Sequence, residues 1–226
     1  MKKSILILIL SLSLIMGFSL AALAAPVTLQ WNLGTEPPTL DPSLATDTTS
    51  VDVIEQLFLG LTDFDDETME VIPELATSWE CSDDGLVWAF HMRKDVKWTD
   101  GNPVTAHDVE YAVKRTCDPA TASDYAYVLY IIKGAQEVNT GKVTDLNYIG
   151  VKAIDDYTIQ FALNHPAGYF PSIAGMWVVR PVPRWTIEKY GEKWTEPENI
   201  VTNGPVSYTH LRAHETPEHL VCRLLL

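Results

Sequence analysis

The sequence predicts an α/β protein of the mixed α+β kind, and three observations lead there. Short segments of alternating polarity meet at Asp83-Asp84-Gly85 and again at Asp155-Asp156, the pattern of two β-hairpins. Between and around them, apolar residues recur at helical spacing. The composition, 46% hydrophobic and 20% charged, is that of a chain that folds around a core rather than one that stays disordered. Hairpins mixed with helices, without an internal repeat, point to this class rather than to a barrel of repeats.

The first residues concern address rather than fold. Lys2 and Lys3 precede an apolar run from Ile5 to Leu20, and Ala22-Leu23-Ala24 supplies the small residues a signal peptidase needs. The run is short for a membrane span and is interrupted by Ser11, Ser13 and Ser19. Residues 1–24 are therefore expected to be a signal peptide cleaved after Ala24. With no cysteine at the cut, a lipoprotein is not expected. The remaining chain carries 14 basic against 30 acidic residues. Such a surface repels phosphate backbones, so nucleic acid is excluded as a partner.

Val27 to Leu33 alternates around Trp31 and predicts a strand. Pro37, Pro38 and Pro42 then enforce an extended connector, because proline lacks the amide donor that helix and central strand require. Ser50 is expected to cap a helix presenting Val53, Ile54, Leu57 and Phe58 on one face, with Gly60 closing it in the left-handed region. Thr77–Cys81 and Leu86–Arg93 predict the first hairpin, with Leu86, Trp88, Phe90 and Met92 on one face and His91 on the more polar one. Thr105–Arg115 and Asp124–Lys133 read as helices ending at Asp118-Pro119 and Gly134. Val151–Leu163 predicts the second hairpin, and Pro183 opens a last helix ended by Gly191.

The stretch Asp83–Val109 holds two histidines and five aspartates, which raises the question of a metal or acid/base site. Local roles account for most of them. Thr105 and Asp108 form a capping box with Asp in place of Glu, Asp100-Gly101-Asn102-Pro103 is turn chemistry, and Asp84-Gly85 is a hairpin tip. His91 and His107 lack the close spacing of zinc motifs, and no nucleophile elbow, phosphate loop or paired-cysteine signature is present. Asp155 and Asp156 are adjacent on a strand, face opposite sides, and cannot flank one glycosidic bond. No catalytic residue, cofactor or metal is expected. Cys81 and Cys117 are the cysteines that could form a disulfide, with free buried thiols as the alternative.

From Ser207 to Leu226 the chain changes character. His210 and His214 fall at i, i+4, a spacing that binds metal on a helix, but Pro217 interrupts the segment. The string resembles translated adapter read-through and is expected to be foreign to the fold.

The stretch from Pro73 to Arg115, with DPATASDYAYVLY, VKAIDDYTIQFALNHPAGYFPSIAG and PVPRWTIEKYGEKWTEPENIVTNGP, closely resembles the oligopeptide-binding proteins of bacterial ABC importers, family 5 of the solute-binding proteins. Several long motifs agree in order across Val27–Pro205. The resemblance implies the first lobe of a two-lobed, type 2 (Venus-flytrap) periplasmic-binding-protein fold, truncated, with residues 25–206 forming an incomplete N-terminal lobe. It implies an oligopeptide ligand held by backbone β-strand pairing, delivery to the transmembrane subunits of an ABC permease, membrane contact only through that transporter, and a monomer. By the same resemblance Ala45, Thr46, Asp47 and Thr48 lie where peptide backbone pairs, while Tyr125 and Met176 line the ligand pocket. Rival expectations are the same fold binding a dipeptide, a nickel chelate or an oligosaccharide, and a secreted metal-dependent hydrolase using His91, His107 and Asp100.

Overall fold

A computed structural model describes residues 28–206 and 221–225, with side chains described from Leu33 to Val206. The expected signal segment and residues 207–220 of the expected foreign tail, including His210, His214 and Pro217, lie outside the described residues. No helix of the described residues is long and apolar enough to cross a membrane.

Strand β1 (Thr28–Asn32) runs antiparallel to β8 (Val221–Leu225), so the tail supplies a strand at its end. After the proline connector comes α1 (Thr48–Leu57). Its N-cap is Asp47, not Ser50: the Asp47 carboxylate accepts the Ser50 amide at 2.9 Å, which starts the helix earlier than the apolar pattern suggests. Val53, Ile54, Leu57 and the following Phe58 are buried as expected. Gly60 does not end the helix in the left-handed region. A Cβ there would lie 2.9 Å from the Thr62 carbonyl oxygen and 3.2 Å from that of Gly175, so close backbone approach is what requires glycine.

A small hairpin of β2 (Thr62–Phe64) and β3 (Val71–Pro73) precedes the main sheet. That sheet holds β4 (Ala76–Cys81), β5 (Val87–Met92), β6 (Val151–Asp155) and β7 (Thr158–Ala162) in the order β4-β5-β7-β6, all antiparallel. The first hairpin turns where Gly85 takes φ +72°, pairing Cys81 with Trp88. Along β5, Trp88, Phe90 and Met92 are buried while Val87, Ala89 and His91 are not, as the alternation requires.

Helix α2 (Ala106–Cys117) covers β6 and β7. The Thr105 amide donates to Asp108 Oδ2 at 2.8 Å, completing the expected capping box. The predicted helix at Asp124–Lys133 is instead a 3-10 turn at Ala126–Ile131, followed by the short α3 (Ala135–Asn139) beginning after Gly134 at φ +77°. Leu129, Ile131 and Ile132 are buried around that turn, so packing shapes a six-residue segment too short to hold an α-helix alone. Helix α4 (Phe170–Ala174) packs on β2, and α5 (Arg184–Tyr190) runs from Pro183 to Gly191 at φ +57°, as read. Phe90, Phe161 and Phe170 meet at centroid distances of 5.1–6.2 Å in the centre of the core.

Cys81 is exposed on the outer strand β4 and Cys117 is buried at the end of α2; both are free thiols, so the disulfide is not formed. Burial pushes the Cys117 thiol up to about 12, which makes it inert at neutral pH.

Candidate functional site

The segment leading into α1 is built on one buried carboxylate. Asp41, only 3% exposed, accepts the Arg115 guanidinium bidentately at 2.8 and 2.6 Å and the Trp194 indole at 3.0 Å. The same side chain accepts the Ser43 amide at 2.9 Å, and the Asp41 carbonyl accepts the amides of Leu44 and Ala45 at 3.0 Å. Ser43 Oγ reaches Thr116 Oγ1 at 3.0 Å, and Thr116 Oγ1 donates to the Val178 carbonyl at 3.2 Å. The turn is thereby fixed to the end of α2 and to the 177–179 segment. No Lys or Arg occurs between Thr28 and Met92, and among the described residues the cations that reach this part of the chain, Arg115 and Arg180, come from later sequence.

Ala45 is buried, Thr46 and Thr48 are exposed, and Asp47 is half-exposed with its carboxylate committed to the helix cap. That bond and others to the main chain hold the Asp47 carboxyl below its usual range despite the opposing pull of burial. The Thr46 amide and carbonyl and the Thr48 amide take no hydrogen bond among the described residues. Exposed, unpaired main chain of this kind is what an added strand needs.

Tyr125 is joined to Ala45 through a residue that the sequence reading missed. The Trp177 indole donates to the Ala45 carbonyl at 3.2 Å, and its ring packs on Tyr125 with centroids 5.0 Å apart. Tyr127, 58% exposed, continues the row 5.7 Å from Tyr125, and Met176 immediately precedes the 3-10 turn Trp177–Val179. Ala45 and Tyr125 are thus joined through Trp177, Met176 is the chain neighbour of Trp177, and Thr46–Thr48 follow Ala45. No periodicity marks Trp177, whose segment is a single 3-10 turn.

Behind the site, Arg180, with 2% of its side chain exposed, reaches the C-terminal end of α1. It donates to the carbonyls of Phe58 and Glu55, and lies 3.9 Å from the Glu55 carboxylate and 4.0 Å from that of Glu74. Glu74 also accepts the Gly60 amide at 2.5 Å. Burial, outweighing Arg180 and that amide, pushes the Glu74 carboxyl up to about 7.

The acids and imidazoles of Asp83–Val109 are dispersed. His91 pairs with Glu80 at 3.7 Å and His107 with Asp156 at 3.4 Å, while Asp100 accepts the Trp185 indole at 2.9 Å and the Asn102 amide at 3.0 Å. Three separate surface pairings occupy the residues that a hydrolase reading would need together, and among the described residues no group of three or more His, Cys, Asp or Glu is placed to hold a metal. A groove of about 750 Å³ runs along α2 past His107, Tyr111, Arg115 and Arg184, but its charges are taken by Asp41, Glu110 and Glu188.

This fold is that of the first lobe of periplasmic binding proteins. The structure superposes on the periplasmic oligopeptide-binding protein OppAIV of Borrelia burgdorferi, described as an oligopeptide ABC transporter protein, with a TM-score of 0.74 and 40% identity over 78% of this chain and 35% of that one. OppA of Haemophilus influenzae in complex with the peptide RPPGFSPFR gives a TM-score of 0.74 at 39% identity, covering 78% and 34%. Residues 70–214 match the family model for bacterial extracellular solute-binding proteins, family 5 Middle, and the chain belongs to that family. The periplasmic oligopeptide-binding protein OppA of Escherichia coli is 45% identical over 188 residues, which is 80% of this chain and 33% of the relative. The chain thus spans about a third of the length of the curated relative it matches.

Proposed function

We propose that the chain, as an exported protein cut after Ala24, supplies the first-lobe face of a peptide receptor serving an ABC importer. Residues 25–206 make that face, and 207–226 are foreign to it. A peptide of unspecified sequence offers one constant feature, its main-chain amides, so a receptor that must accept many peptides pairs with them as an added strand. The exposed Thr46 amide and carbonyl and the Thr48 amide, unpaired among the described residues, are the observation that carries this reading. Ala45 and Asp47 border these groups, with the Ala45 amide and carbonyl held by Asp41 and Trp177 and the Asp47 carbonyl by Val51, and Tyr125 and Met176 flank the guest side chains. Closure of a second lobe over the peptide would present a single shape to the permease subunits. The reading is supported by the peptide-binding names of the relatives.

Native mass spectrometry of the chain in an equimolar mixture of di- to hexapeptides tests it. Retained peptide masses of varied side chains and a shared length are expected. Retention of a sugar, a nickel chelate or another non-peptide solute in competition with that mixture, with no peptide carried, would overturn it.

A further inference from the structure

The contact between Trp177 and Ala45 bears on which way a neighbouring amide faces. A trans peptide unit is planar, with its C=O and N–H directed oppositely. The described residues contain no cis peptide, so the Ala45–Thr46 unit obeys this geometry. The Trp177 indole holds the carbonyl side of that unit at 3.2 Å, across 132 residues of sequence. The amide side, Thr46 N–H, must therefore point away from the indole, and it finds no acceptor among the described residues. The arrangement is held from three directions. Trp177 is packed on Tyr125 at 5.0 Å, the Ala45 amide is bound to the Asp41 carbonyl at 3.0 Å, and the Asp47 carboxylate is bound to Ser50 at 2.9 Å.

We infer that Trp177 is a positioning residue for ligand binding: by fixing the Ala45 carbonyl it presents the Thr46 amide as a preoriented donor to a peptide carbonyl. The inference rests on the peptide-receptor reading above and assigns to that site a residue acting through the main chain rather than by touching ligand. Without the indole donor, the peptide unit is free to rotate about its flanking torsions, and ordering it falls on the binding step. A buried carbonyl left without a donor would also turn to find one, carrying the Thr46 amide with it.

The test compares the whole chain with its Trp177→Phe variant, which keeps a ring on Tyr125 and removes only the donor. Trialanine is the probe, its binding is followed by the ring resonances of Tyr125, and thermal unfolding is recorded in parallel. Affinity is expected to fall about fivefold to tenfold, the net worth of one well-placed hydrogen bond, with the unfolding temperature nearly unchanged. Trialanine analogues with each carbonyl in turn reduced to methylene supply the decisive comparison. For the analogue lacking the carbonyl that meets Thr46, both proteins should bind equally. A uniform loss across all analogues, or no loss for trialanine, overturns the inference. Should the variant fail to fold, hydrogen exchange in the unaltered chain decides: the Thr46 amide must slow when trialanine is added. If Tyr125 responds and Thr46 does not, the positioning role is wrong while the peptide reading stands. If no resonance responds to any peptide, the peptide reading itself falls.

Discussion

Helix α1 treats its two ends in opposite ways. At the C-terminal end the carbonyls of Glu55 to Phe58 all accept: Gln56 from Val206, Leu57 from Asn203 and Gly204, and Glu55 and Phe58 from Arg180. The amides just beyond are also used, Leu59 by the Asn203 side chain at 3.1 Å and Gly60 by Glu74. At the N-terminal end a single carboxylate, Asp47, serves Ser50, while the amides of Thr46 and Thr48 find no acceptor among the described residues. A helix leaves four unpartnered groups at each end, and their satisfaction is ordinarily a matter of stability. Here one end is satisfied by side chains and main chain that lie, Glu74 excepted, 120 or more residues away, and on the peptide-receptor proposal the other receives an incoming partner. The saturated end fixes the axis of the helix, so the open end has a defined place.

Perturbing the saturated end should therefore damage the fold, and perturbing the open end should damage binding. Arg180→Ala has the largest expected effect, about 3–5 kcal/mol of stability lost in chemical denaturation, because it strands the Glu74 carboxylate and the last-turn carbonyls in a buried site. Gly204→Ala comes next, at about 1–3 kcal/mol, since its Cβ would lie 2.5 Å from the Gln56 carbonyl oxygen, which is backbone and cannot swing away.

Glu74 supplies a pH dependence with a definite sign. Its folded value of about 7 lies above its ordinary 4.5, so between those values the folded state binds the proton more tightly than the unfolded state. The contribution is fully present below about pH 4.5 and is lost as pH rises to about 7. Denaturation midpoints of the native chain, measured against Glu74→Gln, should accordingly gain on the variant as pH falls from 7 to 4.5. A gap that widens in the opposite direction would place the charge balance around Arg180 elsewhere. The smallest effect belongs to the open end. Asp47→Ala should cost about 1 kcal/mol, a lost cap, read as a small shift in thermal unfolding.

The same contrast explains what was legible in the sequence. The two hairpins, the burial of alternate residues in β5, the Thr105–Asp108 box and the start and stop of α5 are local events, set by residues within a few positions of each other, and all were readable. Near α1 the local signals are ambiguous: two plausible caps, Asp47 and Ser50, lie three residues apart, and Gly60 suits a helix stop as well as a close approach. What could not be read was the polar framework joining distant segments. Nothing in spacing connects Asp41 to Arg115 and Trp194, Phe58 to Arg180, or Ala45 to Trp177, because each contact exists only once the sheet has folded. The grouping of Ala45, Tyr125 and Met176 as ligand-facing residues rests on family resemblance alone, and Trp177, which joins Ala45 to Tyr125, carries no motif to announce it.

Amide chemical shifts of the whole chain, recorded with and without saturating trialanine, test the account most directly. Movement is expected at Thr46, Asp47 and Thr48 and at the rings of Tyr125 and Trp177, with Leu59 and Gly60 unmoved. Movement concentrated at Leu59 and Gly60 or along the α2 groove, with Thr46–Thr48 silent, would contradict it.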